Sequence, residues 1–125
     1  MGKPAKSKAS APADRLAFYD ALIATIPEVD RKGAAIAYTS LNGHMFSYMN
    51  ETGALALKLP VGPREEFLQR FGATLQEAYG IVQKEYVRVP DAVLADTAAL
   101  APYFLASWRH TQSLKPKPTT KRRTA

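Results

Sequence analysis

The chain contains no cysteine. That absence removes disulfides, thiolate metal sites and cysteine nucleophiles together, and it agrees with a reducing compartment, so a cytoplasmic location is expected. Histidine is nearly as scarce: only His44 and His110 are present. Neither has a second histidine or a carboxylate three or four residues away, the spacing that sets two ligands on one helix face. The glycines at 33, 43, 53, 62, 72 and 80 stand singly, so no glycine-rich loop is available to cradle a phosphate. No Gly-x-Ser-x-Gly stretch surrounds Ser40 or Ser47, so neither has the setting of an elbow nucleophile. The paired acids Glu65 and Glu66 are expected in the first turn of a helix, where the helix dipole accounts for them. From these gaps the chain reads as non-enzymatic, with no catalytic residue, no cofactor and no metal site.

Long apolar runs are missing as well. None approaches the roughly 20 residues that cross a bilayer, so no membrane association is expected. The basic N-terminus has no apolar stretch behind it, which argues against a secretory signal. Lys6 occupies the position where a myristoylation motif would need Ser or Thr.

What is present is a segregated charge. The formal net charge is +6. Residues 1–13 hold Lys3, Lys6 and Lys8, residues 115–125 hold Lys115, Lys117, Lys121, Arg122 and Arg123, and neither segment has an acid. The intervening residues 14–114 carry nine basic and eleven acidic side chains, a net of −2. Both ends are rich in Lys, Pro, Ala, Ser and Thr and have little to bury, so they are expected to be disordered tails flanking one domain. As appendages they raise solubility; as tethers they would neutralise nucleic-acid phosphates with a steep salt dependence.

The domain itself reads as α+β. Asp14 suits an N-cap, and Leu16, Tyr19, Leu22, Ile23 and Ile26 recur at helical spacing up to Pro27. Residues 34–41 read as a strand that ends at Asn42-Gly43, the pair favoured where a type I′ turn needs positive φ twice. His44 to Met49 return, Glu51-Thr52-Gly53 turn again, and Leu55, Leu57 and Leu59 alternate with smaller or polar residues as a third strand. Pro63 suits a first helical position and Gly72 a C-terminal stop, with Phe67, Leu68 and Phe71 facing inward. Residues 73–81 show no periodicity and read as loop. Residues 82–89 form a fourth strand, a helical turn follows at 91–95, and Leu100, Phe104, Trp108 and Thr111 share one stripe of a last helix over 97–113. Pro102 conflicts with that helix and predicts an early turn at 97–100 feeding a helix from 101. The expected architecture is an antiparallel sheet of about four strands with the N- and C-terminal helices on one face.

Aromatic and basic residues meet on the predicted strands. Phe46, Tyr48 and Tyr86 lie beside Lys58, Lys84 and Arg88, a combination that stacks single-stranded bases in some domains and elsewhere is only cross-strand packing. Alternation sends Lys84 and Glu85 to opposite faces. With Lys84 on the solvent face beside Arg88, Glu85 points toward the helices and needs a partner there.

Several segments, in order, resemble the N-terminal domain of the TfoX/Sxy family. They are Asn42-Gly43-His44-Met45-Phe46, Leu55-Ala56-Leu57-Lys58-Leu59, Lys84-Glu85-Tyr86-Val87-Arg88-Val89-Pro90, Leu100 to Tyr103 with Ser107, and Ser113-Leu114-Lys115-Pro116-Lys117-Pro118. Where relatives often carry Met-Phe-Gly after a basic residue, this chain has Gly33-Ala34-Ala35 after Lys32, and Gln83 stands where many have Met. The resemblance implies a fold related in shape to the YjbR group and a regulatory or binding role linked to competence-type gene regulation, with no catalytic residues to carry over. It implies a protein partner, or nucleic acid held through the tails. The candidate contacts are Lys58, Lys84, Tyr86, Arg88, Lys115, Lys117, Lys121, Arg122 and Arg123. The alternative is a small-molecule or metal-binding domain of frataxin-like shape, for which Asp14, Asp20, Glu28 and Asp30 would form a thin acidic ridge.

Overall fold

The computed structural model describes residues 12–33 and 36–116. Helix α1 (Ala13–Ile23) is followed by strands β1 (Ala37–Leu41), β2 (His44–Met49) and β3 (Leu55–Lys58), helix α2 (Val61–Phe71), strands β4 (Thr74–Ala78) and β5 (Ile81–Arg88), the short helix α3 (Asp91–Leu94) and helix α4 (Thr97–Ser113). The five strands form one sheet in the order β1-β2-β3-β5-β4, each antiparallel to its neighbours.

Turn chemistry sets the meander. Asn42 and Gly43 take φ of 56° and 80°, the pair of left-handed conformations that closes β1 onto β2. At the β2–β3 turn, the Asn50 side-chain oxygen accepts from the backbone N–H groups of Thr52 and Ala54, both at 3.0 Å. That bonding lets Asn50 stand in for a backbone turn. Gly53 completes the turn at φ 88°, beneath the Arg15 side chain; an added Cβ would fall 2.1 Å from Arg15 Cδ.

The helices gather on one side of the sheet. Alternate strand residues supply the floor of the core: Phe46 and Met49 from β2, Leu55 and Leu57 from β3, and Val87 from β5. Tyr19 and Leu22 from α1, Phe67 from α2, Leu94 from α3, and Leu100 and Phe104 from α4 close over it. Burying each of these large side chains contributes roughly 1.5–3 kcal/mol. A chain of hydroxyls runs through this core. Tyr19 Oη and Ser47 Oγ lie 2.6 Å apart, and Thr39 Oγ1 lies 2.5 Å from the same Ser47 Oγ. These bonds satisfy polar atoms that burial would otherwise penalise, and they tie α1 to the two edgeward strands.

The observed elements correct several expectations. The sheet has five strands rather than about four, because residues 74–78 form β4 instead of loop. An edge strand with polar residues on both faces carries no hydrophobic alternation to read. Asp14 is not the N-cap: Pro12 holds that position and Asp14 sits in the first turn, where the dipole still favours its charge. Helix α1 ends at Ile23, and successive turns carry the chain on past Ile26. Helix α2 begins at Val61, so Pro63 is its third residue, and Glu65 and Glu66 lie beyond its first turn; Gly72 does end it, in the left-handed conformation at φ 60°. Helix α4 runs unbroken from Thr97 with Pro102 inside it, capped by the Asp96 carboxylate accepting from Ala99 N–H at 3.2 Å. Residues 34–35 of the expected first strand lie outside the described residues, as do residues 1–11 and 117–125 of the two expected tails.

Candidate functional site

Among the described residues, no helix packs on the face of the sheet opposite the core. Leu57 and Val87 pair across β3 and β5 with both side chains buried. Their neighbours Lys58, Tyr86 and Arg88 therefore alternate onto the other face, and Tyr48 of β2 joins them by pairing with Ala56. The Tyr48 and Tyr86 rings meet there at a centroid distance of 5.6 Å and an interplanar angle of 43°. Tyr86 donates its hydroxyl proton to the Met45 carbonyl at 2.8 Å. Burial pushes the Tyr86 hydroxyl up to about 12, and the neighbouring Tyr48 and Glu85 add to the shift.

A break in register shapes this face. Leu75 pairs with Val87, but the next residue of β4, Gln76, pairs with Gln83. Lys84, Glu85 and Tyr86 thus have no partners on β4, and β5 bulges by three residues. Beyond the bulge, β4 and β5 pair only with each other and end in a turn at Tyr79 and Gly80, with φ of 55° and 75°. This two-stranded arm and the β2–β3 turn bound a cleft of about 570 Å3 on the uncovered face. Tyr38, Met45 and Tyr48 line it from β1 and β2, and Gln76, Tyr79 and Gln83 from the arm.

The polar groups of the cleft have a fixed order. Tyr48 donates its hydroxyl proton to Gln83 Oε1 at 2.5 Å. Gln76 lies beside them, paired with Gln83 across β4 and β5 and lining the same cleft. Burial raises the Tyr48 hydroxyl above its ordinary value. Gln76 Oε1 is buried and has no partner among the described residues, on a side chain only 2% exposed. Such an orphaned acceptor is uncommon in a folded interior and marks the place where a donor is missing.

Of the residues singled out from the sequence, Tyr48 lines this cleft, and the described candidate contacts fall around it rather than in it. Lys58 is held against Glu85 at 3.4 Å, with the Lys side chain 15% and the Glu side chain 65% exposed. Glu85 thus finds its partner in solvent at the bulge and not beneath the helices. Lys84 and Arg88 are exposed. Phe46, grouped with the strand aromatics, instead packs in the core against Phe104 at 5.6 Å. Lys115 is placed by its backbone: His44 Nε2 lies 2.8 Å from its carbonyl oxygen. Lys117, Lys121, Arg122 and Arg123 lie outside the described residues. Among the described residues no three His, Asp or Glu side chains come together in a metal-binding group, and no helix is long and apolar enough to cross a membrane.

Gln76 and Gln83 are not legible as a pair in the sequence, because residues 73–81 show no periodicity and Gln83 sits in the expected strand 82–89 with no strand expected beside it. Their one sequence signal is a pair of glutamines flanking Tyr79-Gly80, a hairpin turn weaker in composition than Asn-Gly. No family model matches the chain, and comparison with curated proteins and with solved structures finds no match.

Proposed function

We propose that this chain is a non-enzymatic binding domain of the TfoX N-terminal type, and that it recognises its ligand on the uncovered face of the sheet. The observation that carries this reading is the cleft under the β4–β5 arm, where a buried glutamine holds an unused acceptor beside two tyrosines. A surface built only to be solvated would expose that oxygen to water. The basic tails are accessory in this reading, adding long-range attraction to an acidic partner while the sheet face supplies selectivity.

The test is an amide-shift survey by NMR of the full chain against a set of small uncharged and charged fragments. Shifts that cluster on residues 36–38, 45–52 and 76–83 are the expected result. Shifts confined to the helical side or to the chain ends would remove the sheet face as the recognition surface, and turnover of any fragment would remove the non-enzymatic assignment. The frataxin-like alternative has less behind it: Arg31 Nε stands 3.4 Å from Asp20 Oδ1, so a cation already occupies part of the proposed acidic ridge.

A further inference from the structure

We propose that the cleft on the uncovered sheet face binds a flat, uncharged heterocycle through an edge that carries an N–H donor next to a carbonyl acceptor, as in a nucleobase or a lactam. This assignment rests on the reading of that face as the recognition surface and adds the chemistry of its ligand.

Three features select this class. The first is the polar pattern. Gln76 Oε1 is an acceptor with no partner, so the ligand must bring a donor. Gln83 spends its oxygen on Tyr48 and keeps its amide nitrogen as a donor, so the ligand must bring an acceptor. Gln76 and Gln83 are paired directly across β4 and β5, which sets these two complementary groups side by side. An amide-like edge meets both at once, as a glutamine side chain does when it pairs with a base edge. The second feature is the wall. Tyr38, Tyr48 and Tyr79 flank the cleft with Met45, offering aromatic and polarisable surface to a planar ring. The third is charge. Among the described residues, the only ionisable acids or bases lining the cleft besides tyrosine are Glu51 and Glu77, and no Lys or Arg lines it. A phosphate or carboxylate on the ligand would meet repulsion without a counterion. The volume of about 570 Å3 lies within the ordinary range for small-molecule sites.

Such an edge occurs on a free base or nucleoside and on a base within single-stranded nucleic acid. The acidic rim favours the free molecule, because a polynucleotide brings its phosphates along.

The experiment titrates the full chain, followed by amide shifts, with uracil, 1,3-dimethyluracil, uridine, uridine 5′-monophosphate and a short oligouridylate. The expected result is saturable binding of uracil and uridine with shifts at residues 45–48 and 76–83. Dimethyluracil, which lacks the donor, is expected to bind at least about tenfold more weakly, the ratio one lost hydrogen bond supports. At a salt concentration that suppresses attraction by the basic ends, the monophosphate and the oligonucleotide are expected to shift the cleft residues more weakly than uridine does. Gln76→Leu is expected to abolish the preference for uracil over dimethyluracil while the spectrum stays dispersed; should it fail to fold, Gln83→Met removes the donor that meets the carbonyl and is expected to weaken uracil and dimethyluracil alike, and unchanged binding of both would overturn the paired edge. Equal binding of uracil and dimethyluracil in the cleft overturns the hydrogen-bonded edge and leaves the sheet face as the recognition surface. Tighter binding of the oligonucleotide overturns the free-molecule assignment. Uracil shifts lying wholly outside the cleft, or no saturable shift at all, overturn the proposal, and the fragment survey then decides separately whether the face binds anything.

Discussion

Gln76 occupies a position where leucine would be the more stable choice. Its side chain is almost wholly buried, and its oxygen has no partner among the described residues. Leaving a buried acceptor without a partner costs about 1–3 kcal/mol. Gln76→Leu keeps the volume and removes the stranded oxygen, so the variant should unfold at higher urea, by about 1 kcal/mol in stability. A loss of 2 kcal/mol or more, about twice an ordinary hydrogen bond, would mean that the oxygen is satisfied in solution. Two other side chains set the response to base. Burial raises both the Tyr19 and Tyr86 hydroxyls above the ordinary 10.0, Tyr86 to about 12. Unfolding therefore releases protons above pH 10, and the stability contributed by these neutral hydroxyls is complete below that pH. It declines as the pH climbs toward 12, the folded value of Tyr86. Urea midpoints measured from about pH 8 to pH 11.5 should fall toward the alkaline end, and Tyr86→Phe should flatten that fall. A midpoint that holds steady over the range would contradict the raised values.

At the scale of elements, the parts that could be read from the sequence are those in which one physical signal dominates. Asn42-Gly43 demanded a tight turn, Leu55 and Leu57 alternated against a buried face, and Phe67 and Phe71 marked the inward side of α2. The parts that could not be read have divided causes. Strand β4 puts Leu75 near the core and Gln76 under the cleft, so both of its faces are half-covered and no period of two emerges. The cleft depends on a three-residue slip in pairing between β4 and β5, and such a slip leaves no compositional mark. Pro102 misled for a related reason. A proline lacks the N–H that would bond to the carbonyl four residues back, and this argued for a late helix start. The Asp96 cap and the packing of Leu100, Tyr103 and Phe104 outweigh that loss and carry α4 through the proline without a break. Pro102→Ala restores the missing donor on an exposed position and should raise stability by about 1–3 kcal/mol, seen as a higher melting temperature. An unchanged or lower melting temperature would show that the proline already fits the helix without cost.

For the whole molecule, charge and recognition occupy different places. The part between the two basic ends has a net charge of −2, while the ends hold all of the excess positive charge. Any attraction to duplex DNA should therefore belong to the ends alone. Replacing Lys3, Lys6, Lys8, Lys115, Lys117, Lys121, Arg122 and Arg123 with Ser should abolish retention on DNA at low salt, and the unaltered chain should lose it as salt rises. Binding that survives both treatments would place a DNA contact on the domain. The register slip has a consequence of its own at this scale. Past Gln83 the β4–β5 arm answers to no third strand, so it can lean toward or away from Tyr38 with Lys84, Glu85 and Tyr86 as its elbow. Backbone protons in the outer arm should trade with deuterium sooner than those of Leu55 to Lys58, and a bound guest should slow them. The width of the mouth is thereby set by an arm that shares no pairing with β1, β2 or β3, so a change in that width would leave the packed interior as it stands.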